Sequence, residues 1–397
     1  MTSPSDEAWP AVAFEERTWD PATEVRDSFS PIRAESGPYR AIVPAAIAER
    51  PVRVDDAIAA LAADATAELI RLDAEFGYRD EAVPPLLVRA ESAASSSIER
   101  VSASALSVAL AEFEESVDPA AGQLVSHSRA IELARARAAS LDEDAIVSVQ
   151  RTLMASSRPE RRGRWRDQQV WIGGGARGPA RAAFVPPHVS RLPAAMDDLI
   201  RFMRRPQLQP LVQIAVAHAQ YETIHPFLEV NGRTGRSLVQ AMLRRADVAR
   251  TLVIPISAGL SEDTAGYFDA LTRYRSGRLE PIVEIFATAA ISAVESSRQM
   301  ADDLVQVRST WSQRCTARQG SGARRLLPLL ETRPVLTSAS AMEHLRVSAP
   351  NAQLAIDRLV ADGILTQVGG ARRNRVWAAT GLLAVVDAFS ERTRRQR

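Results

Sequence analysis

The run LVQIAVAHAQYETI, Leu211 to Ile224, reads as an apolar helix that ends directly against His225 and Pro226. A helix with so little polar surface needs other elements to cover it, so it constrains the rest of the chain more than any other stretch. Proline at 226 cannot continue the helix. A short polar loop follows, and GRSLVQAMLRRADV then resumes a helical pattern.

The loop has the composition of a phosphate site. A loop that ends in Asn231-Gly232 and opens a helix leaves several backbone N–H groups without intrahelical partners, and the helix dipole adds partial positive charge there. Arg233 and Arg236 lie one turn apart, so their guanidinium forks can face one ligand. Glu229 is the loop's carboxylate, and beside phosphate its simplest use is as a Mg²⁺ ligand. His225 remains as the group able to move a proton near neutral pH.

These residues resemble the signature of the Fic family, H-P-F-x-[D/E]-G-N-G-R-x-x-R. His225, Pro226, Phe227, Glu229, Asn231, Gly232, Arg233 and Arg236 are all in register, and Val230 alone departs, standing where the family has glycine. The resemblance implies a mainly α fold, a Fic-type helical bundle with a small β-hairpin flap. It implies an enzyme that moves AMP from ATP to a hydroxyl side chain of a target protein. His225 would be the general base and Glu229 would hold Mg²⁺ between the α- and β-phosphates. Asn231 and the Gly232 amide would form the anion cradle, and Arg233 and Arg236 would grip the β- and γ-phosphates.

Two further stretches gain meaning from the resemblance. Ser95 and Glu99, at i and i+4 in SSSIER, are similar to the family's inhibitory motif [S/T]-x-x-x-E-[G/N], with Arg100 in place of the small last residue. The likeness implies that Glu99 reaches Arg236 and takes the space of the γ-phosphate, while Ser95 bonds at the cradle. Gln168 to Ile172 and Ala182 to Val185 are β-prone pieces around a Gly-rich turn, which predicts a hairpin. In the family such a flap aligns the target segment by main-chain pairing. The matching positions are Val170, Trp171, Ile172 and Gly173.

Composition excludes other chemistries. The chain has no lysine among its 49 basic residues, so neither a P-loop nor a pyridoxal Schiff base is available. A net charge of +1 argues against a surface generally coated by nucleic acid. The single cysteine, Cys315, forms no internal disulfide framework and fits a reducing compartment. There is no apolar run of membrane-spanning length and no signal-peptide pattern, so the expectation is a soluble, cytoplasmic protein.

Along the chain the reading is an irregular N-terminal arm (1–36), a helical region with the inhibitory helix (37–123), the catalytic core (124–314) and a terminal module with a basic tail (323–397). One long helical stretch is expected from Pro84 through EFEE, others over Leu124 to Ser140, Asp142 to Ser157 and Glu262 to Ser276, and a linker over Ala317 to Arg325. The last residues give three short helices and a two-stranded wing, and resemble a winged helix-turn-helix. Asn351, Gln353 and Arg358 could meet DNA, with Arg372, Arg373 and Arg375 on phosphate, but Asp357 and Asp362 oppose this. A dimerisation or docking role is favoured, and homo-oligomerisation stays open. The competing reading is a transcriptional regulator whose Fic core no longer catalyses. Transfer of UMP or phosphate is compatible with the same cradle. A His218–His225 metal pair is disfavoured, because two arginines would crowd the ion.

Overall fold

The computed structural model describes residues 8–20, 36–113, 118–155, 159–173, 178–369 and 375–395. In chain order it contains β1 (Ala13–Trp19), β2 (Gly37–Val43), α1 (Asp56–Phe76), α2 (Val83–Ile98), α3 (Ala105–Ala111), α4 (Pro119–Ala136) and α5 (Glu143–Leu153). It continues with α6 (Leu192–Met203), α7 (Pro210–Ile224), α8 (Asn231–Arg245), α9 (Ile256–Glu262), α10 (Thr264–Arg275) and α11 (Glu280–Arg314). The last elements are α12 (Gly322–Thr332), β3 (Val335–Thr337), α13 (Ser338–Leu345), α14 (Ala349–Ala361), β4 (Thr366–Gly369), β5 (Val376–Ala378) and α15 (Thr380–Arg395). Contacts divide the chain into two units. One is Met1–Leu69, Arg129–Arg250 and Asp263–Ala290, and the other is Ile70–Ser128, Thr251–Glu262 and Ile291–Arg397.

The first unit is built round α7. Every residue from Leu211 to Ile224 is buried, which is what an apolar helix without a polar stripe requires. Pro210 takes its first turn, Gln209 caps it by accepting the Val212 N–H at 2.9 Å, and His225 ends it in a left-handed conformation. Helix α8 crosses α7 closely at Gly235. A Cβ there would lie 2.8 Å from both Tyr221 Cδ1 and Glu222 Oε1, so this position of the loop–helix sequence tolerates no side chain. Helix α5 begins as its acidic first turn predicts, with Asp142 accepting the Ala145 N–H at 2.9 Å.

The N-terminal region is more ordered than an irregular arm. Strand β1 pairs antiparallel with β2 over seven residues, from Ala13 opposite Val43 to Trp19 opposite Gly37. Trp19, Tyr39, Ala41 and Val185 form a small core under the hairpin, and Trp171 packs against it. The β2 strand also bonds the chain after the flap, through Ile42 N–H to Val185 O at 3.1 Å. The hairpin therefore buttresses the flap's stem.

In the second unit α2 starts with prolines in its first turn, as expected, but does not run on to residue 115. It stops at Ile98, Glu99 caps it, and Arg100 turns the chain at φ 62° before α3 begins. Ser104 at that new start accepts the Ser107 N–H. Glu91, buried on α2, accepts the N–H and hydroxyl of Ser257 at 3.0 and 2.5 Å and so ties α2 to α9. In the first unit the helix expected over Glu262 to Ser276 forms as α10, which starts where Asp263 caps it by accepting the Gly266 N–H at 2.8 Å and ends at Ser276.

The terminal module has α12, α13 and α14 with an antiparallel sheet ordered β3–β5–β4. Helix α12 takes in Gly322 to Arg325 of the expected linker. The expected basic tail instead forms α15, which packs on α2, α3 and α9; Asp387 from it accepts the Ala105 N–H at 2.9 Å. On α14, Gln353 bonds Asp357 at 2.7 Å and Arg358 bonds Asp362 at 3.2 Å, so these polar groups are engaged on their own helix or just past its end. Arg372 and Arg373 lie outside the described residues. No helix among the described residues is long and apolar enough to cross a membrane.

Candidate active site

The loop between α7 and α8 is fixed from inside. Asn231 accepts the Phe227 N–H at 2.9 Å and donates its amide to the Phe227 carbonyl at 2.8 Å. These two bonds close the loop on itself, so the Asn231 side chain acts as a clasp. Phe227 is fully buried, with Trp165 tilted over it at 4.7 Å between ring centroids. Val230 takes φ 60° and ψ 28°, the left-handed conformation suited to the glycine it replaces. A β-branched residue is strained there. The Val230 carbonyl nevertheless receives both the Thr234 N–H at 3.0 Å and its hydroxyl at 2.8 Å, which helps to hold it.

His225 is half-buried at the left-handed end of α7, and its Nδ1 lies 4.0 Å from Glu222 Oε2. No hydrogen bond reaches that Nδ1 among the described residues. Burial first, and then the charges of Arg166 and Arg275, push the imidazole down to about 3. It is thus neutral at pH 7 and able to accept a proton. His218, one level deeper on α7, bonds the Tyr267 hydroxyl at 2.7 Å and packs against Phe286. It is a core residue, as its position beneath the loop suggests. Arg233 and Arg236 are both buried within the first two turns of α8.

Arg166 was not singled out in the sequence, yet it holds the site together. Its backbone N–H bonds Pro226 O at 2.9 Å and its Nε bonds His225 O at 2.9 Å. Its other nitrogens reach Gln168 O at 3.2 Å and Pro187 O. One side chain therefore ties the His225 loop to both arms of the flap stem. Burial lowers Arg166 to about 10, still fully charged at neutral pH. Arg275, at the end of α10, lies 3.8 Å over the ring of Phe184 in the same stem.

The flap itself is slight. Ile172 and Phe184 form an isolated antiparallel bridge, with bonds of 2.9 and 3.1 Å. Gly173 turns at φ 78°, and residues 174–177 lie outside the description. Trp171 packs inward, edge-on to Trp19 at 5.2 Å, while Ile172 is 46% exposed and Val170 half-buried.

Glu229 carries an ion pair with Arg161, and its side chain is 39% exposed. No cluster of three or more His, Cys, Asp and Glu side chains suited to a metal occurs among the described residues. A single accessible carboxylate that already attracts a cation does fit Mg²⁺, which takes one or two carboxylates and completes its shell with phosphate oxygens and water. In the second unit, Ser95 is buried on α2, and Glu99 caps that helix with its N–H on Ser96 O and Ser97 O.

Residues 140–243, which include the whole loop, match the model of the Fic/DOC family. The chain carries a Fic domain. A curated protein adenylyltransferase Fic of Nematostella vectensis is 25% identical over 160 residues, 40% of this chain and 34% of that protein. That of Drosophila erecta is 27% identical over 164 residues, 41% of this chain and 30% of the other. The matched region spans about a third of the length of these relatives. The fold resembles the crystal structure of a Fic family protein from Desulfovibrio desulfuricans, with a TM-score of 0.50, 20% identity, and coverage of 83% of this chain and 98% of that one. The Fic-domain match contains every loop residue singled out above, from His225 to Arg236.

Proposed function

We propose that this Fic protein is a protein adenylyltransferase, moving AMP from ATP to a Tyr, Thr or Ser hydroxyl of a target protein. The observation that carries the reading is the clasped loop, which sets a neutral imidazole at 225 and two arginines at 233 and 236 on either side of a helix start. The relatives' name, protein adenylyltransferase, agrees with it.

In the proposed step the target hydroxyl oxygen attacks the α-phosphorus while the bond to the β-phosphate oxygen breaks and pyrophosphate leaves. His225 takes the hydroxyl proton. With its basicity as low as about 3 it is a weak base by itself, and the negative phosphates of ATP beside it would raise its proton affinity toward the working range. Arg233, Arg236 and the α8 N–H groups receive the charge that builds on pyrophosphate. Mg²⁺ held by Glu229 would supply further shielding of the phosphates. The exposed edge at Val170 to Gly173 would pair with an extended target segment.

His225→Ala should keep the fold and bind ATP, yet transfer no label from α-³²P ATP to any protein; substantial transfer would remove His225 from the role of base. Self-inhibition by Glu99 belongs to the same proposal. A charge-assisted bond contributes roughly 1.5–3 kcal/mol, so Glu99→Gly should raise self-labelling by about tenfold or more with little change in melting temperature. Equal rates, with ATP bound in both proteins, would make Glu99 a purely structural helix cap.

A further inference from the structure

Arg161 closes a short helical turn, Pro159–Arg161, just ahead of the flap. Its backbone is anchored from α5, where Gln150 donates to Arg161 O at 3.4 Å and accepts the Gly163 N–H at 2.6 Å. Its side chain, only 17% exposed, is brought onto the carboxylate of Glu229. Beside the pair runs a groove of about 170 Å³, lined by Arg161, Arg164, Trp165, Gln168 and Leu228 among others. An arginine with an anchored backbone thus sits on the loop's carboxylate, next to open space.

We propose that Arg161 is a further nucleotide-binding arginine of this site, kept on Glu229 until a divalent cation takes that carboxylate and then turned to the phosphate chain. The proposal rests on the Mg²⁺ and ATP reading above. Partly exposed ion pairs are weak, so the Arg161–Glu229 pair opens at little cost when a dication competes for the carboxylate. A guanidinium displaced from Glu229 can turn to phosphate oxygens, in competition with Glu160 and Asp167 that line the same groove, and its planar fork suits phosphate. Glu229 and Arg161 would then hold the same nucleotide through the metal and directly.

Two binding measurements on the full chain test this, with opposite signs expected. Titrated with Mn²⁺ alone in a calorimeter, Arg161→Gln should bind several-fold more tightly than wild type, because its carboxylate has lost a competing cation. Titrated with α,β-methylene ATP and Mg²⁺, the same variant should bind about tenfold more weakly, the loss of one charge-assisted contact. Arg161→Lys should fall between in both. An ion pair with no part in nucleotide binding would tighten Mn²⁺ binding on removal but leave nucleotide affinity unchanged, so full affinity for the nucleotide overturns the proposal, as does unchanged or weaker Mn²⁺ affinity. Neither measurement requires transfer of AMP; a silent transfer assay would count against the adenylyltransferase reading, while these two affinities decide Arg161.

Discussion

The loop from His225 to Asn231 and the flap from Val170 to Phe184 lie in one unit and are held by opposite means. The loop is bound by buried contacts: the Asn231 clasp, the Arg166 bonds to His225 and Pro226, and a fully buried Phe227. Among its described residues the flap has a single bridge, a glycine turn and an exposed isoleucine at its edge. Groups that act on phosphorus need fixed geometry, since small displacements cost rate steeply. An edge that accepts a peptide strand needs unpaired backbone and room to adjust. The difference in fastening is what each task requires.

The strongest way to break the contrast is at the clasp. Asn231→Ala strands the N–H and carbonyl of Phe227 in a buried place, at a cost on the order of 1–3 kcal/mol for each group. The melting temperature should drop clearly, and label transfer should fall by at least about a hundredfold. Ile172→Ser at the flap should leave the melting temperature nearly unchanged and affect transfer to protein far more than ATP affinity. If calorimetric melts show the two variants equally destabilised, the flap is as firmly built as the loop and the contrast fails.

Part of this was legible in the sequence because polar residues in a short loop have few other uses. His225, Glu229, Arg233 and Arg236 could be assigned chemistry by type and spacing alone, and α7 and α8 by their apolar patterns. Arg166 could not. It belongs to RPERRGRWRD, where nothing distinguishes the arginine whose side chain turns inward onto three carbonyls from the other arginines of the run. Strand β1 was hidden for a similar reason: AFEERTW is largely exposed, and only Trp19 at its end is fully buried. The break after α2 was concealed because it is made by Arg100 in a left-handed conformation, with no Gly or Pro to announce it. The clasp role of Asn231 depends on its rotamer and so appears only in three dimensions.

A smaller effect follows from histidine burial. In the unfolded chain His225 protonates near 6.5, whereas the folded loop lowers it to about 3, and His218 behaves alike. Between these values the unfolded state binds more protons, so folding stability is complete above about pH 6.5 and declines as the pH falls toward 3. Each group can contribute a slope of up to about 1.4 kcal/mol per pH unit in that window. Urea midpoints for wild type should decrease from pH 7 to pH 5, and His225→Ala should decrease distinctly less. Parallel curves for the two proteins would mean that His225 already titrates near its unfolded value, and that the loop is less closed than its contacts indicate.

The smallest expected effect concerns the one strained point of the loop. Val230 at φ 60° carries a left-handed penalty of roughly 1–2 kcal/mol, which Val230→Gly removes. Glycine returns about 0.5–1 kcal/mol of that through greater freedom in the unfolded chain, and the half-buried valine methyls lose some packing as well. The net stabilisation should therefore be below about 1 kcal/mol and could vanish. Nucleotide affinity is the sharper measurement, because loss of the branched side chain lets phosphate come nearer the backbone N–H groups at the start of α8. Calorimetry should show tighter ATP binding by Val230→Gly, by a few-fold, with the melting temperature almost constant. Equal or weaker binding would show that the carbonyl bonds from Thr234 already hold the loop in its working shape and that the valine costs the cradle nothing.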